Sequence, residues 1–385
     1  MYKYLILVLS VVLAVRCDLN KEEGAECEWE GGKGSCVNEN RCFTTLDRRS
    51  DRQPTCSTQG ETKIICCTDC ELVNDTSNAI FTPGGHILWK DGSKARDNCL
   101  EYLDKQHYRC RDGGFYGGIK RNFDAENKCH SYFIWAIGGA PPPGHVPGAE
   151  YPHQALLGFE SNGAVTWKAG GSIISNRFIL TAAHINNVYS ESGELKHVAL
   201  GVVSFSDLST RQERGVKRFI THPDYKYPSL YHDIALIEVD APIEFNKNAI
   251  PACIFTETTD IQTALTTTWR DLRRGAELMD TIQTINVEAF SDEECKQAYP
   301  KEGRLEQGFD SNTQLCYGSK IVPSESCRGF SGEPLLAQDQ FARCIYSIIG
   351  VTSLGVSECG SANVSPNIYT KISQYLPWIE SVVWP

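Results

Sequence analysis

The segment Ser326–Leu336, SCRGFSGEPLL, places Ser331 between two glycine-bearing steps of a tight turn, with Cys327 just upstream and Pro334 opening an apolar run. Glycines in such a turn let backbone N–H groups converge on one point, where a developing oxyanion can be held. Ser331 is therefore a candidate nucleophile. A serine on a glycine-rich turn is more often only a turn, so its reading depends on partners elsewhere in the chain.

Two partners lie upstream. FILTAAHI (178–185) runs four apolar or β-branched residues into Ala182, Ala183 and His184, and YHDIALIEV (231–239) sets Asp233 just before an alternating strand. A serine hydroxyl needs a neutral imidazole to take its proton, and the imidazole needs a carboxylate to fix its tautomer and stabilise the imidazolium. His184, Asp233 and Ser331 supply the three roles in that chain order. An esterase of the GxSxG type fits less well, because its partners follow the order Ser, Asp, His.

At 385 residues the chain is long enough for a core of ordinary size plus a satellite module. A net charge of −11 without a basic cluster argues against nucleic acid or an anionic membrane as partner. The apolar run from Leu5 to Val15 is short for a bilayer and reads as a secretory signal peptide, with cleavage after Ala14 or Cys17. Of the two, cleavage at Cys17 leaves an even number of the 17 cysteines for pairing in an oxidising compartment. No later stretch is long and apolar enough for an anchor.

Cys27, Cys36, Cys42, Cys56, Cys66 and Cys67 crowd a strand-poor stretch rich in glycine, as in a module held by disulfides. Zinc is the weaker reading there, since paired CxxC knuckles and histidines are missing. The segment 69–135 reads as a linker with turn glycines, an Asn74-Asp-Thr76 glycosylation pattern and four cysteines, Cys70, Cys99, Cys110 and Cys129, which make it tethered. From Ala136 onward short β-branched runs alternate with turns until ISQYLPWIESVV (372–383), whose apolar spacing is helical. An all-β body with one closing helix fits a double barrel.

The spacing of the first six cysteines, down to the terminal Cys66-Cys67, resembles the clip domain of arthropod secreted serine proteases. ARDNCLEY (95–102) looks like the linker of the snake-like clip proteases. AIGG (136–139), TAAH, HDIAL, SCRGFSGEPLL and PNIYTKISQYLPWI (366–379) follow the chymotrypsin and trypsin family in order. The resemblance implies a signal peptide (1–17), a clip domain (25–68), a linker (69–135) and a chymotrypsin-like double β-barrel domain (136–385). It also implies the disulfides Cys27–Cys66, Cys36–Cys56, Cys42–Cys67, Cys295–Cys316 and Cys327–Cys359, with Cys253 tying the linker to the catalytic domain. Cys344 lacks its usual family partner. His184 becomes general base and acid, Asp233 its orienting carboxylate and Ser331 the nucleophile. The N–H groups of Gly329 and Ser331 form the oxyanion hole, and Glu325, Ser353, Gly355 and Asn367 line the substrate pocket.

The departures from the family pattern bear on activity. Ala169 and Ile185 stand where two cysteines usually pair, so apolar packing is expected in place of that disulfide. Phe330 stands where an aspartate usually receives the N-terminal ammonium freed by zymogen cleavage. Removing one partner of a buried pair costs about 3 to 5 kcal/mol, enough to depopulate the active conformer by roughly two to three orders of magnitude. Glu333 replaces a glycine whose backbone normally packs closely, Asn367 narrows the pocket, and the junction for cleavage falls after Trp135, an unusual apolar site. The sequence is identified as a secreted, monomeric, arthropod clip-domain serine protease. Protein substrates or other cascade proteases are the expected partners, with neither metal nor cofactor. The rival reading is a non-catalytic homologue that binds and regulates such a cascade.

Overall fold

Asn162-Gly163 shows how local chemistry starts the first barrel. Both residues take positive φ, 51° and 78°, the combination that a two-residue hairpin of matching twist requires. A computed structural model describes residues 19–29, 32–38, 54–59, 62–68, 71–72, 79–81, 87–89, 92–106, 110–111, 151–202, 204–206, 208–246, 248–256, 261–270, 278–320, 331–337, 346–355 and 366–385. The chain divides into two compact units, Met1–Thr76 with Tyr108–Phe123, and Ser77–His107 with Asp124–Pro385.

In the first unit, β1 (Glu26–Trp29), β2 (Gly32–Asn38), β3 (Thr55–Gln59) and β4 (Thr62–Cys67) form one antiparallel sheet in the order β1-β2-β4-β3. The expectation of a strand-poor module is thus corrected. Short alternations such as TKIICC carry little periodic signal, and the strands are fixed by cross-links. Cys27–Cys66 and Cys36–Cys56 close as the family likeness implies. Cys67 is also disulfide-bonded, while its expected partner Cys42 lies outside the described residues. Two further short antiparallel pairs are β5 (Glu71–Leu72) with β8 (Cys110–Arg111) in this unit, and β6 (Ala79–Phe81) with β7 (Ile87–Trp89) in the second. The signal peptide, the Asn74 pattern, Trp135 and Cys344 fall outside the described residues, as do Cys70 and Cys129.

The second unit holds two six-stranded barrels. β9 (Gln154–Ser161), β10 (Ala164–Ile173), β11 (Phe178–Thr181), β12 (Glu194–Leu200), β13 (Gln212–Thr221) and β14 (Ala235–Val239) close in the order β10-β11-β14-β13-β12-β9. β15 (Cys253–Ile254) then leads parallel to β20 (Ser347–Leu354) at the second sheet. There β16 (Thr263–Arg270), β17 (Leu278–Ala289), β18 (Gln314–Gly318), β19 (Pro334–Ala337), β20 and β21 (Asn367–Lys371) form a ring shut by the β20–β21 pairing. Ala169 and Ile185 are fully buried in one apolar core, so packing does occupy the place of the missing cystine. Cys295–Cys316 forms as expected. Among the described residues no helix is long and apolar enough to cross a membrane.

The closing helix is α4 (Leu376–Val383), which buries Ile379 and Val383. Ahead of it come two short helices of the barrel loops, α2 (Ile185–Val188) and α3 (Asp292–Ala298); the latter is capped at both backbone and side chain by Ser291 and Glu294. A longer helix in the linker, α1 (Lys94–Gln106), is not apparent from the sequence. Of its apolar positions Ala95, Cys99 and Leu100 are buried. The helix is held by its docking: Ala95 N–H donates to Glu380 Oε1 (2.8 Å), Lys94 Nζ to the Trp384 carbonyl (2.7 Å), and Trp384 Nε1 to the Tyr102 hydroxyl (3.1 Å). Cys99 bonds Cys253, which selects one linker cysteine from the four. After cleavage near Trp135 the two fragments are therefore expected to run as one species on a non-reducing gel and as two after reduction. Separation without reductant would show that Cys99–Cys253 does not form.

His153 is buried in a three-ring cluster with Tyr151 and Tyr346, with neither ring nitrogen hydrogen-bonded among the described residues. Burial lowers its pKa to about 3 from 6.5. The unfolded chain then binds the extra proton first, so the stability that neutral His153 allows is complete above pH 6.5 and is lost as pH falls towards 3. The loss amounts to about 4 kcal/mol at the acid end. His153→Phe is expected to flatten the fall in Tm between pH 6.5 and 4. An unchanged slope would remove His153 as its source.

Candidate active site

Each of the three candidate catalytic residues sits where a strand meets a turn, at the seam between the two barrels. β11 is buried at every position, and Ala182 and Ala183 carry the chain on to His184, which caps α2. Asp233 lies two residues before the start of β14, and Ser331 lies three residues before β19. His184 is 2% exposed, Asp233 0% and Ser331 6%, so the site is desolvated enough for fixed dipoles to count.

Asp233 is the best-determined member. One carboxylate oxygen accepts the backbone N–H of His184 at 2.8 Å, and the other lies 2.6 Å from His184 Nδ1. With Nδ1 held by the carboxylate, the lone pair of Nε2 is the one left to receive a proton. The second oxygen also accepts the Ser353 hydroxyl at 2.5 Å, and the Asp233 carbonyl accepts Thr370 Oγ1 at 2.7 Å. A carboxylate without water is stable only when its lone pairs are occupied in this way. Ser353 and Thr370 belong to the second barrel, so they lock the first barrel's aspartate across the seam.

Ser353, expected as a pocket residue, thus directs its hydroxyl to Asp233. The role is missed by sequence reasoning, since SIIGVTSLG (347–355) reads only as a strand. Gly355 follows β20 and is half-buried.

The loop carrying Ser331 is tied down by backbone bonds. Gly170 N–H donates to the Ser331 carbonyl (3.0 Å), Gly332 N–H to Thr352 (3.0 Å), and Thr352 N–H to Glu333 (2.8 Å). No hydrogen bond joins Ser331 Oγ to His184 among the described residues. Gly329, Phe330, Glu325, Cys327 and Cys359 lie outside the described residues.

Glu333 finds its room against Gly170. A Cβ on Gly170 would come within 2.5 Å of Glu333 Cγ, so one bare glycine accommodates the side chain that another position has gained. The carboxylate is 1% exposed and accepts the Trp269 N–H at 3.3 Å. It lies near enough to Tyr369 to add to the rise of that phenol's pKa, which burial pushes up to about 12, while hydrogen bonds from Asn367 and Thr266 pull the other way. Asn367 is itself buried. A polar network of Glu333, Tyr369, Asn367 and Thr266 thus lies behind the nucleophile loop.

Comparison with known proteins gives the family. The Trypsin family profile matches residues 141–379. The chain is 26% identical over 375 residues to the serine protease snk of Drosophila melanogaster, covering 94% of this chain and 79% of that protein. It is 32% identical over 248 residues to the CLIP domain-containing serine protease C9 of Anopheles gambiae, covering 60% of this chain and 65% of the relative. Among solved structures, mouse neuropsin, a serine protease, shares 26% identity at a TM-score of 0.50, over 61% of this chain and 96% of its own. The chain belongs to the trypsin family, as a clip-domain serine protease or homologue of arthropod type.

Proposed function

We propose that the protein is a secreted serine endopeptidase acting in an extracellular proteolytic cascade of the immune or developmental kind. The observation that carries this reading is the buried Asp233, satisfied by His184 and Ser353, which holds His184 through Nδ1 and leaves Nε2 to act as the base. In this mechanism Nε2 takes the Ser331 proton as Oγ attacks the scissile carbonyl. The N–H groups of Gly329 and Ser331 hold the oxyanion, and His184 returns the proton to the leaving amine. Water then repeats the cycle on the acyl-enzyme. Glu325, Gly355 and Asn367 line the pocket, which favours arginine over aromatic side chains. The disulfide-rich first unit supports the extracellular setting.

A non-catalytic homologue that binds cascade proteases is the second reading, favoured by Phe330 and by the burial of Glu333 in the nucleophile loop. A fluorophosphonate probe applied before and after cleavage at Trp135 separates the two. Labelling of Ser331 that rises on cleavage supports the peptidase, and none in either form supports the homologue. Phe330→Asp with Glu333→Gly in the cut chain is expected to raise turnover of an arginine peptide at least tenfold. A parent already at full turnover, or a double variant that gains nothing, would remove Phe330 as the limiting defect.

A further inference from the structure

The excursion between β13 and β14 starts with His222-Pro-Asp224 and ends with His232, the residue before Asp233. A backbone bond draws its two ends together, His222 N–H donating to the Ile234 carbonyl (3.1 Å), and Ile234 N–H closes a local turn on the His232 carbonyl (2.8 Å). As a result the two imidazoles stack, with ring centroids 5.6 Å apart and 18° between their planes. One donor atom each from His222, Asp224 and His232 lie within 4.8 Å of one another.

His232 takes φ +57°, a left-handed conformation that histidine tolerates better than most side chains. Three details favour a ligand over a coincidence of packing. His232 Nδ1 lies 3.1 Å from the Tyr375 hydroxyl; metal-binding histidines commonly anchor one ring nitrogen in this manner and bind through the other. His222 Nδ1 accepts the Asp224 N–H at 3.2 Å and lies 3.9 Å from Asp224 Oδ2, so the turn holds imidazole and carboxylate side by side. The rings of Tyr375 and Trp378, each 5.0 Å away, fix the His222 plane.

We propose that His222, Asp224 and His232 bind one zinc ion, with water as fourth ligand. Two imidazoles and one carboxylate suit zinc, whereas calcium and magnesium take oxygen donors. Donors on a tetrahedral zinc stand about 3.3 Å apart, given bonds of about 2.0 to 2.1 Å, so separations of up to 4.8 Å must close by up to about 1.5 Å. Asp224 can supply most of that closure, since its side chain is 71% exposed while that of His222 is 13% exposed. The other described group of potential donors, Cys27, Cys36 and Cys56, is consumed by disulfides. Because His232 and Asp233 are consecutive, an ion that moves His232 shifts the carboxylate that orients His184. Zinc is therefore an inhibitor of the peptidase, a consequence that rests on the function proposed above, whereas binding itself does not.

The test uses the full chain stripped with chelator and titrated with zinc chloride by calorimetry, and with cobalt(II) by visible absorption. One ion per chain is expected, with the intense d–d bands of four-coordinate cobalt. His222→Ala and His232→Asn should each weaken binding at least tenfold; asparagine is chosen because it tolerates the left-handed backbone at 232. Asp224→Asn should weaken it several-fold. His197→Gln, which removes the separate pair with Glu160, should leave it unchanged. Absence of a saturable site in the unmutated chain overturns the proposal whether or not a variant folds. Equal binding by the His222→Ala/His232→Asn double variant overturns it as well. Binding without inhibition of a chain that does label at Ser331 would sink only the link to catalysis.

Discussion

Gly332→Ala is expected to destabilise the second unit by more than about 4 kcal/mol, beyond the range of ordinary substitutions. Two effects combine at this position. Gly332 takes φ +87°, where a β-carbon is strained, and that carbon would lie 2.1 Å from Thr181 Oγ1 and 2.4 Å from the Gly170 carbonyl oxygen. Neither neighbour can yield freely. Thr181 donates through that same Oγ1 to the Gly170 carbonyl at 2.8 Å, and Gly170 N–H is bound to Ser331. The clash would therefore push the nucleophile loop off the first barrel. Gly303→Ala provides the comparison, because Gly303 takes φ +55° but has nothing within 4 Å of a β-carbon; it should cost only about 1 to 2 kcal/mol. Thermal unfolding of the two variants measures the difference, expected to exceed about 5 °C in Tm for a unit of this size. Equal Tm values would mean that backbone strain alone, and not the contact between barrels, governs position 332.

Asp233→Asn should lower turnover by about ten-thousand-fold, the loss associated with the equivalent change in other triad enzymes, while the fold survives. The amide keeps the shape of the carboxylate and can still accept one of the hydrogen bonds from His184 N–H and Ser353. Presented with an NH2 group in place of an oxygen, His184 Nδ1 must accept instead of donate. The ring proton then moves to Nε2, which can no longer take the Ser331 proton. The rate of Ser331 labelling by a fluorophosphonate in chain cut after Trp135 reads this step directly. A decrease under tenfold would show that the His184–Asp233 contact of 2.6 Å does not set the reactivity of Ser331. Ser353→Ala, which removes one of the three donors to the carboxylate and leaves the tautomer intact, should have a much smaller effect.

The residues whose meaning is local were legible in the sequence. A serine in a glycine turn, a histidine at the end of a buried apolar run and an aspartate opening an alternating strand each state their position within a few neighbours. Their order made the three a candidate triad, and the apolar spacing of 372–383 gave the closing helix. The paired replacement of two cysteines by Ala169 and Ile185 foretold apolar burial of both positions. What only the tertiary structure decided depends on closure of the two barrels, which brings together residues far apart in the chain. Ser353 and Thr370 reach Asp233 across sequence separations of 120 and 137, and no pattern in either strand marks them. α1 lies in a segment read as a linker, and where it docks is decided by its contacts with α4 and by Cys99–Cys253, a bond between segments 154 residues apart. The four-stranded sheet of the first unit was hidden for a related reason: its strands are short and its core consists mainly of cystines. Glu333 looked out of place in a close-packed loop until the fold set it over Gly170, whose missing β-carbon, on a strand of the other barrel, leaves the space that its side chain fills.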